Sequence, residues 1–132
     1  MSLAFRGARI RRKLLTKTEV IEFAEHWIAA WNSHDLEKIM THYEEDVELI
    51  SPVAAQILKD PNGRVVGKDA LRNYFKKGLE TYPNLEFTLK DILWGLNSIV
   101  LYYINQKGTC TGEYMEISPK GKVSRVVANY SG

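Results

Sequence analysis

Ala29-Ala30-Trp31-Asn32-Ser33-His34-Asp35-Leu36-Glu37-Lys38-Ile39 marks a break between two amphipathic helical patterns. On its N-terminal side, apolar residues recur over residues 20–31 at the spacing of one helix face. Thr16 and Glu19 fit a capping box, in which a hydroxyl and a carboxylate satisfy the free backbone N–H groups of the first turn. On its C-terminal side, residues 36–43 keep helical spacing again. The break therefore predicts two helices joined by a tight turn.

A strand and a third helix are predicted next. Residues 47–51 read as a strand that a proline ends, and residues 52–66 read as a longer connection. Asp60-Pro61-Asn62-Gly63 within it has turn chemistry, because proline fixes φ and glycine accepts positive φ. A third helix is expected after Gly67, and Pro83 ends it because proline cannot continue a helix.

The rest of the chain is predicted to be strands. Apolar and polar residues alternate over 85–89, and residues 99–104 are a continuous β-branched and aromatic run. Residues 109–117 alternate more weakly, and residues 123–130 form a last strand after a turn. Tight turns cannot join parallel neighbours, so such a meander is antiparallel. The pattern predicts an α+β domain, with three N-terminal helices packed on one face of a curved antiparallel sheet.

Composition indicates one globular domain with a basic arm. The chain has 132 residues, of which 45% are hydrophobic and 26% charged, and its formal net charge of +2 implies no polyanionic partner. We divide it into a disordered arm, residues 1–15, and a domain, residues 16–132. Six basic residues precede or begin the domain, and removing them from the 18 Lys and Arg leaves 12 against 16 Asp and Glu. The six are Arg6, Arg9, Arg11, Arg12, Lys13 and Lys17.

Such an arm can contact nucleic acid or a membrane surface, but a solvated tail is the simpler interpretation. The arm has no aromatic stacking residue beyond Phe5, so we do not expect a nucleic-acid partner. No apolar run resembles a signal peptide or the ~20 residues of a membrane span. Cys110 is the single cysteine, which excludes an internal disulfide. We expect a cytoplasmic protein with no membrane partner.

Four short motifs carry a family resemblance. The junction quoted first, Tyr43-Glu44-Glu45-Asp46-Val47, Gly67-Lys68-Asp69-Ala70-Leu71 and Gly121-Lys122-Val123 occur in the order and spacing of SnoaL-like and ketosteroid-isomerase-like proteins. The chain therefore resembles the nuclear-transport-factor-2-like superfamily over about residues 18–131. This resemblance implies a cystatin-like cone around an internal pocket for a small apolar ligand. It also implies frequent homodimers through the sheet face, and no single activity.

Three positions test the steroid-isomerase mechanism. The resemblance places Ser51 where those enzymes have a strand carboxylate as base, and a hydroxyl is far too weak a base. It places Trp27 where they have a tyrosine donor, and an indole N–H donates but does not titrate. The third position is Glu113, where they have an oxyanion-hole carboxylic acid. We therefore reject steroid isomerisation by the usual base and keep Glu113 as the candidate catalytic residue.

Glu113 has two possible orientations. Strand alternation puts it on the same face as Met115 and Ile117, which look inward, and burial would favour its neutral form. The alternative is a solvent-facing glutamate, or one paired with Arg125 or a lysine. Trp27 and Ser51 would position the substrate, and further cavity-lining candidates are Tyr43, Phe75, Tyr103, Met115, Val126, Ala128 and Tyr130, each of which could instead be ordinary core.

No motif points to a metal or an organic cofactor. His26, His34 and His42 lack metal-ligand spacing, and one cysteine cannot complete a zinc site. Neither a phosphate loop nor a Gly-x-Ser-x-Gly nucleophile elbow is present. Two functions stay open: a cofactor-free isomerase, cyclase or lyase acting on a small apolar molecule, and a non-catalytic dimeric ligand-binding or accessory module.

Overall fold

The first helix begins and ends where the sequence predicts. The computed structural model describes residues 14–132. In it the Thr16 hydroxyl accepts from the Glu19 N–H at 3.2 Å, and the Glu19 carboxylate accepts from the Thr16 N–H at 3.0 Å. The helix ends at His34, which takes the left-handed conformation with φ 60°. The predicted arm lies outside the described residues up to residue 13, and Leu15 donates its N–H to the Leu96 carbonyl at 3.1 Å.

Ten elements follow one another along residues 14–132. The helices are α1 (Lys17–Ser33), α2 (Leu36–Met40), α3 (Pro52–Leu58) and α4 (Lys68–Thr81). The strands are β1 (Tyr43–Ile50), β2 (Arg64–Val66), β3 (Thr88–Trp94), β4 (Ser98–Ile104), β5 (Cys110–Ile117) and β6 (Val123–Tyr130). The strand order is β2-β1-β6-β5-β4-β3. This is the predicted α+β fold, and no described helix is long and apolar enough to cross a membrane.

The sheet is mixed, which corrects the fully antiparallel prediction. β1 pairs with β6 in parallel, with Leu49 opposite Val126, and the other neighbours are antiparallel. The two strands are far apart in sequence, so no tight turn constrains their relative direction. β1 also begins at Tyr43 rather than Val47, because Tyr43 already pairs with Val123.

The predicted connection 52–66 contains the strand β2 and a helix, α3, in addition to the three predicted helices. Ser51 caps α3 by accepting the Val53 N–H at 3.1 Å, and Pro52 occupies the first turn, where its missing N–H costs nothing. Gly63 then returns the chain with φ 57°, and a Cβ there would lie 2.4 Å from the Ser51 carbonyl oxygen. Glycine is required at that position because any side chain would meet backbone.

The turn between α1 and α2 is docked on a non-adjacent segment. The Asn32 amide donates to the Phe87 carbonyl at 2.9 Å and accepts the Phe87 N–H at 2.7 Å. His34 contacts the Leu85 carbonyl at 2.8 Å. These contacts take up backbone groups that a sheet neighbour would otherwise use. β3 therefore begins at Thr88, not at residue 85 as the alternation predicts.

The core lies between the helices and one face of the sheet. Alternate residues of β4 and β5 point to this face, including Leu101 and Met115, neither of which is exposed. Val20 and Ala24 of α1 are likewise fully buried. Such burial removes about 25 cal/mol of unfavourable hydration per Å² of apolar surface. The packing closes one end of the domain and leaves space at the other.

Candidate functional site

A cavity of about 420 Å³ opens between the helices and the concave face of the sheet. Helix α1 contributes Trp27 and Trp31, and α4 contributes Tyr74 and Phe75. The sheet contributes Leu49, Tyr103, Glu113, Ala128 and Tyr130, and connecting segments contribute Ser51, Tyr82, Leu85, Phe87, Asn105, Gln106 and Lys107 among others. The volume and the mainly apolar lining are those of a site for a small organic molecule.

Aromatic rings form most of the cavity wall. Trp27 stacks on Phe87 with ring centroids 5.9 Å apart, and Phe87 lies 4.3 Å from Tyr103. On the other side, Trp31 meets the edge of Phe75 at 4.7 Å. Contacts between rings in this range stabilise one another beyond simple burial. The wall is thus packed in place by its own side chains and offers ring faces to a flat ligand.

Glu113 points into this cavity. It pairs in register with Leu101 of β4 and Ala128 of β6, and only 7% of it is exposed. Its Oε1 accepts the Tyr103 hydroxyl at 2.8 Å. Burial raises the pKa of the Glu113 carboxyl to about 7, against the opposing effect of the Tyr103 hydrogen bond. A carboxyl with this pKa can both give and take a proton near neutral pH.

The solvent-facing alternative for Glu113 is wrong. Arg125, the partner considered for it, lies on the opposite face of the sheet, where it pairs with Glu48 at 3.3 Å and Glu116 at 3.7 Å. Arg64 also pairs with Glu48 there. No ion pair to Glu113 exists within residues 14–132. The period-2 argument from the sequence therefore gave the correct orientation.

Three phenols, those of Tyr74, Tyr103 and Tyr130, add hydroxyl groups to the cavity wall. Burial raises the pKa of Tyr74 and of Tyr130 well above the ordinary value, and the nearby Ser51 hydroxyl opposes that rise in both. Burial and the Glu113 carboxyl raise the pKa of Tyr103 as well. All three phenols therefore stay protonated at physiological pH, so they can donate hydrogen bonds but not act as bases.

Trp27 contributes a ring face to the cavity rather than a donor. Its indole N–H donates to the Tyr43 hydroxyl at 3.0 Å. Tyr43 is 1% exposed and lies outside the cavity lining. The Trp31 indole lowers the pKa of the Tyr43 hydroxyl as well. The Trp31 N–H nevertheless has no hydrogen-bond partner within the described chain. The buried Tyr43 hydroxyl thus fixes the wall from behind.

The cavity brings together seven of the ten residues predicted for the site. These are Trp27, Ser51, Phe75, Tyr103, Glu113, Ala128 and Tyr130. Tyr43, Met115 and Val126 do not line it. Met115 and Val126 are paired with each other in register and fully buried. Each lies two residues from the site position on its own strand, Glu113 or Ala128, on the side away from the cavity. They face the correct side of the sheet, but the core has already closed at that depth.

Several lining residues were missed in the sequence. Leu85 and Phe87 read as strand residues, and their place at the cavity depends on the tertiary contacts of Asn32 and His34. Gln106 and Lys107 belong to the β4–β5 turn, where polar residues are the rule. Their one available signal was position, since a turn at the end of two cavity-facing strands must lie near the mouth.

The described residues hold no cluster for a metal ion. No three His, Cys, Asp or Glu side chains of residues 14–132 are close enough to share one. His26 is exposed, and His42 is half-buried with its ring edge against Phe23 at 5.7 Å. Burial lowers the pKa of His42. The side chains of the cavity offer acid/base and hydrogen-bonding chemistry instead.

Comparisons with known proteins agree with this fold. The SnoaL-like domain model matches residues 24–129. A SnoaL-like protein of unknown function from Burkholderia thailandensis is 33% identical, with a TM-score of 0.86 over 91% of this chain and 100% of that one. No curated protein matches significantly.

Two more distant structures share the fold alone. A candidate isomerase of the SnoaL-like family from Agrobacterium tumefaciens is 16% identical, with a TM-score of 0.70 over 87% of this chain and 99% of that one. A protein of unknown function with a cystatin-like fold from Methylobium petroleophilum is 12% identical, with a TM-score of 0.71 over 90% and 80%. By its sequence match over most of the domain and by its fold, the chain belongs to the SnoaL-like family.

Proposed function

We propose that this protein is a cofactor-free acid/base catalyst that acts on a small, mainly apolar molecule carrying a carbonyl or hydroxyl group. The observation that carries the proposal is the Glu113 carboxyl, held inside an aromatic cavity and hydrogen-bonded to Tyr103 at 2.8 Å. Near pH 7 this carboxyl populates both protonation states. A group poised in this way transfers protons most effectively at the pH where the protein works.

The Glu113–Tyr103 pair suits proton transfer next to a carbonyl. As carboxylate, Glu113 can remove a proton from the carbon beside a substrate carbonyl. As it takes that proton it releases the Tyr103 hydroxyl, which can then donate to the developing enolate oxygen. Returning the proton to another carbon gives isomerisation, and expelling a neighbouring leaving group gives a lyase reaction. Attack of the enolate on a second carbonyl of the same molecule gives cyclisation.

Ser51 does not supply a second base. Its hydroxyl caps α3 at 3.1 Å from the Val53 N–H, and a neutral hydroxyl cannot accept a carbon-bound proton. Glu113 must therefore both remove and return the proton. This favours reactions in which the two positions lie on one face of the substrate. The candidate isomerase from Agrobacterium tumefaciens is consistent with that reaction class.

Proton exchange tests the proposal without knowledge of the natural substrate. 2-Tetralone is a flat, apolar ketone with exchangeable protons beside its carbonyl, and proton NMR in D₂O follows their loss. We expect the protein to accelerate exchange by about 10²-fold or more, with a rise in rate centred near neutral pH. Glu113→Gln should remove the acceleration. Glu116→Gln, on the same strand but the opposite face, is the matched control and should keep it.

A non-catalytic ligand-binding module is the second candidate. It is favoured by two polar groups of the cavity wall that already have partners within the chain: Trp27 donates to Tyr43, and Tyr103 donates to Glu113. A preformed lining of this kind suits binding as well as turnover. Binding of 2-tetralone with no faster exchange than in buffer would refute catalysis and establish this alternative. Absence of any binding of flat apolar probes would refute both.

We also propose that the protein is a cytoplasmic homodimer that pairs through its outer sheet face. Leu93, Val100, Tyr114 and Val127 form one cross-strand row on that face, and Leu93 is 54% exposed. A second copy would cover this apolar row. Light scattering should give a mass near twice the 15.1 kDa of the chain, and a single-chain mass would contradict the dimer.

A further inference from the structure

The β4–β5 turn at the mouth of the cavity is held in a fixed conformation. Asn105 Nδ2 donates to the Thr111 hydroxyl at 2.9 Å, and Asn105 Oδ1 accepts the Lys107 N–H at 3.0 Å and the Thr109 hydroxyl at 3.1 Å. The Gly108 N–H donates to the Asn105 carbonyl at 2.9 Å. The residues at the tip of the turn, Gln106 and Lys107, are therefore presented to the cavity by a rigid support.

Lys107 is the one Lys or Arg among the cavity-lining residues of the described chain. Its ammonium lies 5.6 Å from the centroid of the Tyr82 ring, which lines the same cavity. No carboxylate of residues 14–132 lies within ion-pair distance of it. The aromatic face holds the cation at the mouth without neutralising its charge. The charge is thus available to an anion on a ligand.

Gln106 adds a polar group that lacks a hydrogen-bond partner. Its side-chain oxygen is buried and has no hydrogen-bond partner within the described residues. Buried polar atoms are nearly always paired, so an unpaired one at a cavity calls for a partner. By rotating about its terminal torsion, the amide can present either its oxygen or its NH₂ group. It can therefore bind a protonated or an ionised group placed beside Lys107.

The two ends of the cavity differ in chemistry and are separated by an apolar wall. Thr109, at the base of the turn, is four residues from Glu113 along the chain, which is about 13 Å at ~3.3 Å per residue. The rings of Phe87 and Tyr103, tilted by 34° against each other, line the space. A fused aromatic body with polar groups at opposite ends has a comparable length. An anion at the mouth would also lie too far from Glu113 for strong repulsion.

We propose that the natural ligands are small aromatic or other flat apolar carboxylic acids, whose carboxylate pairs with Lys107 and Gln106 while an oxygen at the far end reaches Glu113. The inference rests on the proposed function, since it names the substrate class of the same cavity. A neutral ligand of equal size would bind more weakly, because it would gain no attraction from the exposed Lys107 ammonium.

Two isosteric probes test the inference. These are 6-hydroxy-2-naphthoic acid and its neutral amide, 6-hydroxy-2-naphthamide, with dissociation constants measured by fluorescence titration at low salt. We expect the acid to bind about 2- to 5-fold more tightly, as for an exposed charge pair. Lys107→Met should abolish this preference and leave the amide affinity within about twofold. Lys90→Met, an exposed lysine outside the cavity, is the matched control and should keep the preference.

The outcomes separate this inference from the proposed function. Equal affinity for the two probes in the unmodified protein, or a preference that survives Lys107→Met, would overturn the carboxylate inference and leave the catalytic proposal standing. If Lys107→Met loses the preference for the acid, the carboxylate inference is supported. If the unmodified protein at the same time does not accelerate proton exchange of 2-tetralone, catalysis by Glu113 is overturned. Gln106→Leu adds a second test, because it should weaken the acid more than the amide, and the opposite order would contradict the assignment. If neither probe binds, the carboxylate inference fails, and the exchange of 2-tetralone alone decides the catalytic proposal.

Discussion

Replacing Glu113 by glutamine should change how stability depends on pH. Burial raises the pKa of this carboxyl from its ordinary 4.5 to about 7, so the folded state binds the proton more tightly than the unfolded state does. The stabilisation is fully present below pH 4.5 and is lost as the pH rises to about 7. At about 1.4 kcal/mol for each pH unit between the two values, the loss is on the order of 3 kcal/mol.

Urea unfolding followed by tryptophan fluorescence measures this effect. Trp27 and Trp31 line the cavity, so their emission reports the loss of the site directly. Glutamine keeps the shape and the acceptor for Tyr103 but cannot ionise. The free energy of unfolding of Glu113→Gln, minus that of the unmodified protein, should rise by roughly 3 kcal/mol from pH 4.5 to pH 7 and then level off. Other groups largely cancel in this difference.

A flat difference between pH 4.5 and pH 8 would refute the reasoning. It would mean that water or a structural adjustment solvates the Glu113 carboxylate, so that the protein does not hold it in a dehydrated environment. Glu116→Gln serves again as control, since that side chain lies on the outer face, and its difference should show no such rise. A fall with increasing pH for Glu113→Gln would mean that the native protein stabilises the charged form, and proton transfer near neutral pH would lose its basis.

Two further predictions concern how the cavity wall is supported. Tyr43→Phe should lower the free energy of unfolding by about 1–3 kcal/mol, because the buried indole N–H of Trp27 loses its acceptor. The affinity for 6-hydroxy-2-naphthamide should stay unchanged. A large loss of affinity would show that Tyr43 acts in the site. Asn32→Ala should lower the free energy of unfolding by about 1–2 kcal/mol and speed hydrogen exchange of the Phe87 amide, measured by NMR. Undiminished protection of that amide would show that the two hydrogen bonds from Asn32 are not what holds the segment.

Local patterns in the sequence predicted most of the fold. The capping box, the helical spacing of α1 and the break at Asn32-Ser33-His34 each depend on neighbouring residues, so one stretch of sequence contains the whole signal. The orientation of Glu113 was likewise predictable, because strand alternation is local. Helix α3 has only seven residues. Its cap, Ser51, was predicted as the last residue of a strand, and its first-turn proline, Pro52, as the end of that strand.

Depth within the cavity and pairing across the chain could not be predicted in this way. Alternation gives the face of a strand but not the distance from its open end, so Met115 and Val126 were assigned to the site although the core closes before them. The parallel pairing of β1 with β6 joins residues such as Leu49 and Val126, whose contact has no local signal. Lys107 depends on the same kind of information, because a turn residue becomes a lining residue only through the fold.

The place of β6 in the sheet constrains how the chain can acquire its structure during synthesis. β6 follows every other strand in the chain but lies between β1 and β5, so it joins the β2–β1 pair to the β5–β4–β3 meander. Until it is inserted, both parts present an unpaired strand edge, which is the usual template for aggregation. Closing the long loop between β1 and β6 also makes a slow step. A nascent chain therefore cannot bind a ligand before its last strand has left the ribosome, and its exposed edges need protection until then.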